Sequence, residues 1–388
     1  MSDLPGIDEA LALVLAHVRR LPLEDVAIVA AAGRVLGEDA HAVVDLPPFD
    51  SSAMDGYAVR ASDTPGPLTV VGHSAAGSPE QRAVGPGEAA VISTGAVVPE
   101  GADAVVPVER TTGEVEVEGV VPGENVRPRG GDTRAGNVVV AAGSRLGPPQ
   151  VSALAAAGVA VVRCARRPRV AVLATGSELR VPGEPLAPGQ IYESNSLLIA
   201  AQLAQVGVDA NVFPFVTDDA AATLAALEQA LELDVLITSG GVSVGPHDLV
   251  RATLRELGVT EVFWRVAVKP GKPVAFAVRG ETLAFGLPGN PVSSLVAFEL
   301  FVRPALQALQ GMRDPHPHYF VGKLGHAVAR NTQRDEFVRA RRDGDQLVPL
   351  SGQDSHMIVH AAAANALVLV PRGEGLLEQG TQVSYLPI

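Results

Sequence analysis

Two stretches decide the fold: VAVLATGSEL, residues 170–179, and VLITSGGVSVGPHD, residues 235–248. Each begins with a continuous apolar run of strand length and passes into a glycine-containing loop. Strands that are apolar throughout are buried on both faces, which favours a mainly parallel sheet covered by helices. Because ligands of such sheets bind beyond the carboxyl ends of the strands, these two loops are the first candidates for a binding site.

The alternation of strands and helices continues around these stretches, and the pattern changes to short β-rich runs on either side. The chain is therefore expected to combine a central α/β region with β-rich regions before and after it. Predicted helices lie at about residues 8–20, 150–158, 196–206, 217–231, 248–257 and 291–309. Predicted strands lie at 68–71, 89–92, 104–108, 115–117, 170–174, 210–215, 235–238, 262–268, 274–278, 320–324, 336–341, 346–349, 366–370 and 382–386.

Composition limits the class of protein. A chain of 388 residues with 47% hydrophobic residues predicts two to four globular domains, and 40 Gly with 30 Pro predicts many tight turns. The net charge of −13 argues against binding to nucleic acid or to an anionic membrane. A lone cysteine, Cys164, excludes an intramolecular disulfide framework and is expected to be a small core residue.

The amino terminus carries acidic residues before its apolar part and lacks a cleavage pattern, so it does not resemble a secretory signal. No run of about 18 uninterrupted apolar residues is present, as a membrane helix would require. We therefore expect a cytoplasmic protein.

Two loops after predicted strands offer backbone N–H groups to an anion. In TGSEL, residues 175–179, the carboxylate of Glu178 could hold a hard cation beside a phosphate, although a helix-capping turn is an equal alternative. In SGGVSVGPHD, Ser239 and Ser243 add hydroxyl groups, but the loop lacks the ending of a Walker motif. Asp248 taken alone would be a helix N-cap.

Two further loops are suited to an oxyanion. KPGKP, residues 269–273, holds two lysines apart with little conformational freedom, and solvated turn lysines are the alternative. LPGNPVSS, residues 287–294, places Ser293 near the start of a helix, where backbone N–H groups are free.

Candidates outside the central region are weaker one by one. Asp50 and Asp55 lie in PPFDSSAMDGYAVR, where an Asp-Gly turn is the simpler interpretation. STGA, residues 93–96, and NVRPRGGD, residues 125–132, add hydroxyl, guanidinium and carboxylate groups. Arg339 and Ser355 are the candidates near the carboxyl terminus.

Taken in order, nine motifs resemble those of the molybdopterin molybdenumtransferase family, the MoeA-type enzymes of bacteria, which are similar to the E domain of gephyrin. The resemblance extends from about residue 8 to residue 388. The motifs are PPFDSSAMDGYA, STGAVVPEGADAVV, NVRPRGGD, LATGSEL, GQIYESN, ITSGGVSVGPHD, KPGKP, LPGNPVSS and GQDSHMI.

The resemblance implies a multi-domain α/β and β fold. A linking domain would comprise residues 1–48 and 133–167, and an N-terminal β domain residues 49–132. A central three-layer α/β molybdopterin-binding domain would follow at 168–312, and a C-terminal β-barrel domain at 313–388. It also implies a homodimer in which the β domain of one subunit completes the cleft of the other.

The function implied is insertion of molybdate into adenylylated molybdopterin with release of AMP, in a Mg²⁺-dependent transferase. Implied contacts of this pathway enzyme include the molybdopterin adenylyltransferase and the molybdenum apoenzymes or their chaperones. The implied catalytic residues are Asp55, Thr94, Arg127 and Asp132. The implied metal ligands are Glu178, Asp218 and Asp248. The implied substrate-binding residues are Thr175, Gly176, Ser239, Gly240, Gly241, Ser243, Lys269, Lys272, Ser293, Arg339 and Ser355.

Two positions depart from the family pattern. Arg265 follows Trp264 where several relatives carry lysine, and since guanidinium and ammonium groups are not interchangeable it is left out of the predicted ligands. His247 replaces an acidic residue of some members and is expected at the surface.

Two other functions compete: a molybdopterin adenylyltransferase, which would lack the N-terminal β domain, and a non-catalytic gephyrin-like scaffold, which would have lost the charged site residues.

Overall fold

The computed structural model describes residues 4–112, 115–217, 219–240 and 249–388. Five of the residues discussed above lie outside these ranges: Asp218, Gly241, Ser243, His247 and Asp248.

The centre of the fold is a six-stranded sheet in which four neighbouring strands pair in parallel and the last two pairings are antiparallel. The predicted mainly parallel sheet is thereby confirmed, with an antiparallel extension at one side. The strand at residues 282–287, which pairs with both kinds of neighbour, was not predicted. In spatial order the strands are Ala210–Val212, Val170–Ala174, Val235–Ser239, Thr282–Leu287, Ala275–Arg279 and Thr260–Trp264.

Helices cover both faces of this sheet, as fully buried strands require. The longest stretch is helical from Pro291 to Leu309 and has one π-helical turn in its middle. By length and composition alone this stretch could cross a membrane, but 78% of its apolar window is buried inside the protein, as expected of a core helix. The helices are Asn195–Gln205, Ala220–Ala230, Leu249–Glu256, Pro291–Ala297, the π-helix Phe298–Val302 and Arg303–Leu309.

The first helix, Ile7–Ala16, packs its apolar side into the core of the α/β domain. The segment that follows and the segment before the central sheet pair with each other to form a separate small core. Cys164 belongs to that core, is fully buried and has a pKa raised by burial, as expected of a structural thiol. The elements of this linking region are Leu23–Ala27, Ile28–Ala30, Ala40–His41, Val138–Val140, Pro148–Ala156 and Val161–Ala165.

A β domain is inserted between the two halves of the linking region. Its main sheet has four strands and packs two small apolar cores. The sheet is ordered Thr69–Ser74, Glu88–Ile92, Gly56–Val59 and Ala104–Pro107. Smaller pairings join Gly66–Pro67, Glu116–Val117 and Thr111–Thr112, and join Ser51–Ser52 to Val126–Arg127; short 3-10 helices lie at Ala61–Asp63 and Val108–Arg110.

The carboxyl-terminal domain is a closed β-barrel. Its strand Asp335–Asp343 pairs with Gln346–Pro349 on one side and with Ala366–Val370 on the other, which closes the sheet on itself. A strand of the α/β region, Val268–Lys269, adds to this same strand. The barrel therefore shares a sheet with the loop that carries KPGKP. Its other strands are Phe320–Leu324, Gln346–Pro349, Ala366–Val370 and Gln382–Pro387, accompanied by Val328–Ala329, Leu376–Leu377 and the helix Ile358–Ala361.

An ion pair joins the linking region to the central sheet. Asp234, just before the strand Val235–Ser239, accepts hydrogen bonds from both terminal nitrogens of Arg166, at 2.6 and 2.8 Å, and from the Arg169 backbone N–H at 2.7 Å. Burial alone would raise the pKa of Asp234, but these donors outweigh it and lower the pKa to about 2.

Candidate active site

Three loops meet at the carboxyl edge of the central sheet, and we call this surface the carboxyl edge. The Thr175 backbone N–H donates to the Ser239 carbonyl at 3.1 Å, and the Gly240 N–H donates to the Leu287 carbonyl at 3.2 Å. Gly240 has φ +88°, and a β-carbon there would lie 2.7 Å from the Thr175 carbonyl oxygen. Only glycine allows the loops to approach so closely.

Glu178 lies beside Gly176 at this edge. A β-carbon on Gly176 would lie 2.5 Å from a Glu178 carboxylate oxygen, so glycine leaves the room that the carboxylate occupies. The Glu178 side chain is exposed, and its carbonyl accepts the Ile191 N–H at 2.9 Å. An exposed carboxylate beside backbone N–H groups can hold a hard cation next to a phosphate. Among the residues with described placement, no group of three or more His, Cys, Asp or Glu side chains forms a metal site by itself.

Asn195 joins two of the three loops from below. Its Nδ2 donates to Ser239 Oγ and to the Gly289 carbonyl, both at 2.7 Å. Asn195 begins the helix Asn195–Gln205 and is buried. Asn195 is the last residue of the motif GQIYESN, and no role was predicted for it.

A basic pocket of about 370 Å³ opens beside the carboxyl edge, at the junction with the barrel. Of the predicted residues, Lys269, Lys272, Ser293 and Ser355 all line it, although they come from three separate segments. It is lined by Lys269, Pro270, Gly271, Lys272, Pro273, Pro288, Asn290, Ser293, Arg334, Gln353, Asp354, Ser355 and His356.

Positive charge dominates this basic pocket. Lys269 is paired with Glu336 of the barrel, with Nζ to Oε1 at 2.9 Å, which holds the ammonium group in place. Lys272 and Arg334 also line the pocket, and Asp354 is the carboxylate in its lining. Three cations with two hydroxyl groups form a suitable environment for an oxyanion, because each can donate charge-assisted or neutral hydrogen bonds.

The barrel loop that carries Ser355 is fixed to the α/β domain. Asn290 Nδ2 donates to Ser355 Oγ at 2.9 Å, and the Val292 N–H donates to the Ser355 carbonyl at 3.2 Å. Ser293 is 4% exposed and sits at the start of the helix Pro291–Ala297. The two domains thus form opposite walls of one pocket.

Arg339 lies behind this wall and not in it. The side chain is 1% exposed and its guanidinium donates to the Gly352, Asp354 and Met357 carbonyls at 2.6, 3.2 and 3.2 Å. Its donors are therefore taken up by the loop that forms this wall, including Gln353 Oε1 at 3.3 Å from Nε. The structure places Arg339 as a support for the loop that carries Ser355, whereas the resemblance implied a direct contact with molybdate.

The four predicted β-domain residues are exposed, three of them in loops and Arg127 in a short strand. Asp55 Oδ1 accepts the Thr94 backbone N–H at 2.6 Å, which joins two of them directly. Arg127 is in the short strand paired with Ser51–Ser52, and the Asp132 N–H donates to the Leu46 carbonyl at 2.9 Å. No hydrogen bond or ion pair within the described ranges connects these four side chains to the carboxyl edge or to the basic pocket. We call them the β-domain loop cluster.

Trp264 and Arg265 lie at the end of the edge strand Thr260–Trp264. The guanidinium groups of Arg251 and Arg265 stack on the Trp264 ring, at 4.2 and 3.9 Å from its centroid. Arg265 has φ +76°, an uncommon conformation for a residue with a side chain. Its guanidinium is thus held by the indole ring.

Sequence reasoning missed two residues that line the basic pocket, Arg334 and Asn290. Arg334 stands in NTQRDEF, which resembles an ordinary polar turn before a strand, so no local signal distinguished it. Asn290 lies in the quoted motif LPGNPVSS, and its place before Pro291 was a usable signal for a polar residue at a helix start.

Comparison with known proteins covers nearly the whole chain. Residues 6–158 match the MoeA N-terminal region (domain I and II), residues 171–308 a probable molybdopterin binding domain, and residues 321–388 the MoeA C-terminal region (domain IV). A molybdopterin molybdenumtransferase of Haemophilus influenzae is 38% identical over 376 residues, covering 92% of each chain. The corresponding protein of Bacillus subtilis is 35% identical over 402 residues, covering 98% of this chain and 94% of its own.

Solved structures agree with these relatives. Two structures of the molybdopterin biosynthesis MoeA protein of Pyrococcus horikoshii superimpose with TM-scores of 0.82 and 0.85, at 33% and 28% identity. They cover 99% and 100% of this chain, and the same shares of their own. The nine motifs, the domain order and the full-length relatives agree, and the chain belongs to the molybdopterin molybdenumtransferase (MoeA) family.

Proposed function

We propose that this chain inserts molybdate into adenylylated molybdopterin, releasing AMP and giving the molybdenum cofactor. The observation that carries the proposal is the basic pocket, which gathers Lys269, Lys272 and Arg334 in a chain of net charge −13. The relatives from Haemophilus influenzae and Bacillus subtilis, matched over 92% and 94% of their own lengths, are named molybdopterin molybdenumtransferase.

The basic pocket fits molybdate by charge and by shape of the donor set. A tetrahedral dianion needs several donors from different directions, and the two lysines, Arg334, Ser293 and Ser355 supply them from four chain segments. Charged donors in a cleft also stabilise the negative charge that moves as oxygen ligands are exchanged for the dithiolene sulfurs.

The carboxyl edge fits the phosphate groups of the substrate. The loops at Thr175–Gly176 and Ser239–Gly240 place the Thr175 and Ser239 hydroxyls at strand ends, where anions bind. The N–H groups of Thr175, Gly176 and Gly240 donate to neighbouring carbonyls and hold these loops in place. Because a phosphate group bound here lies beside the basic pocket, the substrate's sulfurs can reach the oxyanion while AMP is still attached.

Magnesium is proposed as the cation at the pyrophosphate. Mg²⁺ in proteins is commonly held by one or two carboxylates together with water and substrate phosphates. The exposed carboxylate of Glu178 is proposed as one of these ligands. Asp218 and Asp248 complete the proposed ligand set from outside the described residues. When bound, the ion would neutralise charge as AMP departs.

A homodimer is proposed because the β-domain loop cluster offers an exposed carboxylate, hydroxyl and guanidinium that, among the described residues, have no hydrogen bond or ion pair to the site of their own chain. In a two-fold dimer these loops would close the cleft of the partner subunit. We place the reaction in the cytoplasm, between the adenylyltransferase that supplies the substrate and the apoenzymes or chaperones that receive the cofactor.

Two other functions are disfavoured by particular features. An adenylyltransferase would need neither the β domain nor the barrel wall of the basic pocket. A scaffold would not need to preserve Asp55, Glu178, Lys269 and Lys272.

The proposal is tested by anaerobic incubation of the purified protein with adenylylated molybdopterin, Mg²⁺ and molybdate, with AMP measured against time. We expect molybdate-dependent AMP release that is strongly reduced in Glu178→Gln and unchanged in Glu281→Gln, an exposed control far from the sheet edge. Absence of AMP release by the unmodified protein, or equal release by the Glu178 variant, would contradict the proposal.

A further inference from the structure

The amide of Asn195 is buried at the functional edge with half of its hydrogen-bonding capacity unused. Asn195 is 8% exposed, and both hydrogens of its Nδ2 are taken by Ser239 Oγ and the Gly289 carbonyl. Its Oδ1 is buried and has no hydrogen-bond partner. The orientation of the amide is fixed, since a carbonyl such as that of Gly289 accepts only from the nitrogen side.

An unpartnered buried acceptor is unfavourable in the free protein. Leaving such a group without a donor costs on the order of 1–3 kcal/mol, so native structures rarely retain one without a reason. A ligand that brings a donor to Asn195 Oδ1 would recover this energy only when bound. The atom is therefore a candidate recognition point.

The two contacts of Asn195 show where a ligand would meet it. Ser239 belongs to the carboxyl edge, where we propose the phosphate groups, and Gly289 immediately precedes Asn290 of the basic pocket. Asn195 thus lies between the proposed phosphate and molybdate positions. The part of molybdopterin that carries both its phosphate arm and its dithiolene is the fused pterin ring system.

The chemistry of the acceptor selects among the parts of the substrate. Pyrophosphate and molybdate oxygens are themselves acceptors and would be repelled by Oδ1. The pterin ring carries N–H donors. Resting on the proposed function, we propose that Asn195 recognises the pterin, with Nδ2 joining the two loops and Oδ1 accepting a hydrogen bond from a pterin N–H.

Gln202 provides a matched control on the same helix. It is 5% exposed, its Nε2 donates to the Leu295 carbonyl and to Glu299 Oε1, and its Oε1 is also buried without a partner. It lies about two turns along the helix from Asn195, away from the carboxyl edge. Removing either amide therefore removes a similar interior network, but only Asn195 is placed to meet the pterin.

The test measures equilibrium binding of molybdopterin and, separately, of AMP to the full-length protein under anaerobic conditions, alongside AMP release. We expect Asn195→Ala to weaken molybdopterin binding about tenfold, as loss of one hydrogen bond predicts. Affinity for AMP and the KM for molybdate should stay unchanged, and Gln202→Ala should bind molybdopterin like the unmodified protein. Asn195→Ser replaces the alanine variant, with the same expectation, if the latter does not fold.

Three outcomes would overturn the inference: unchanged molybdopterin affinity in the Asn195 variant, a loss confined to AMP, or a raised KM for molybdate that shows general disorder of the Gly289 loop. An equal loss in Gln202→Ala would overturn it as well. Failure of the proposed function is distinguishable, since the unmodified protein would then bind molybdopterin, with the difference between variants intact, and release no AMP.

Discussion

The basic pocket and the β-domain loop cluster contain the same kinds of side chain but differ in how they are built. The pocket is enclosed by two domains of one chain and fixed by the Lys269–Glu336 ion pair and the Asn290–Ser355 hydrogen bond. The loop cluster is exposed, and its Asp55 is held by one hydrogen bond from Thr94. One region is complete within a chain, whereas the other presents its groups outward.

This difference indicates that the two regions have different roles in the proposed reaction. A pocket that is rigid before binding can stabilise an oxyanion without reorganising, which is the physical basis of electrostatic catalysis. Exposed loops can complete a cleft only when another surface meets them. Variants in each region test this contrast.

The largest effect is expected in the basic pocket. Lys272→Ala removes a cation that lines it, and we expect molybdate-dependent AMP release to fall by about a hundredfold or more, as for removal of a preorganised oxyanion donor. The measurement is kcat/KM at varied molybdate concentration. Lys323→Ala, which removes an exposed barrel lysine paired with Asp345 at 3.0 Å, should be nearly neutral. Comparable losses in the two variants would contradict a preformed pocket.

The next effect concerns the loop cluster. Asp55→Asn should lose most of its activity when pure, though less than Lys272→Ala, because its carboxylate serves the cleft of the partner subunit. Mixing it with the impaired Lys272→Ala variant and allowing subunits to exchange should restore part of the activity, since each mixed dimer holds one intact cleft. Activity is assayed before and after exchange. No recovery, despite exchange verified by mass spectrometry, would place both groups in a single chain's cleft.

Arg339→Met should destabilise the loop that carries Ser355 and forms one wall of the basic pocket. Removing the guanidinium leaves the Gly352, Asp354 and Met357 carbonyls without their donor, and we expect a loss of about 3 kcal/mol in the free energy of unfolding. The KM for molybdate should rise more than kcat falls, because the Ser355 loop is displaced. Arg341→Met on the same strand, an exposed position, serves as the control in denaturant unfolding and in the assay.

The smallest effect is expected at the domain junction. The pKa of Asp234 is about 2, below its ordinary value, so its stabilisation is present above about pH 4 and is lost as the pH falls through the folded value. Asp234→Asn should therefore lower the unfolding free energy by about 2 kcal/mol at pH 7. The difference from the unmodified protein should shrink toward pH 2.

Molybdate binding should survive the Asp234 change, because the junction lies at the opposite end of the strand Val235–Ser239 from Ser239. Asp25→Asn, at an exposed ion pair with Arg163, is the control and should change stability by less than about 1 kcal/mol. A pH-independent difference for Asp234→Asn would rule out the ionised carboxylate as its cause.

Local sequence was sufficient where local physics decides structure. The strand Val170–Ala174 has the predicted bounds because five apolar residues in a row suit a strand buried on both faces. The strand Thr282–Leu287 escaped prediction because Gly286 interrupts its apolar run just before a turn. The order of the domains was predicted from the family resemblance, because periodicity alone does not give it.

The site required contacts between distant segments. Four predicted pocket residues, Lys269, Lys272, Ser293 and Ser355, do line one cavity. Arg339 and Arg334 could not be ranked in advance, since only the fold decides which guanidinium faces the pocket and which the loop backbone. The β-domain loop cluster stays a prediction, because a single chain contains one half of the proposed cleft.

The pairing of Val268–Lys269 with the barrel strand Asp335–Asp343 bears on how members of this family could be recombined. A barrel taken from a relative would bring that relative's residues at positions 336 and 355. It would then have to pair with the KPGKP segment of the original chain. Chimaeras that break the chain near residue 313 would thus divide one sheet between two parents. Exchanging 265–273 together with the barrel keeps both strands of that pairing from one parent, and so preserves the spacing of the two lysines.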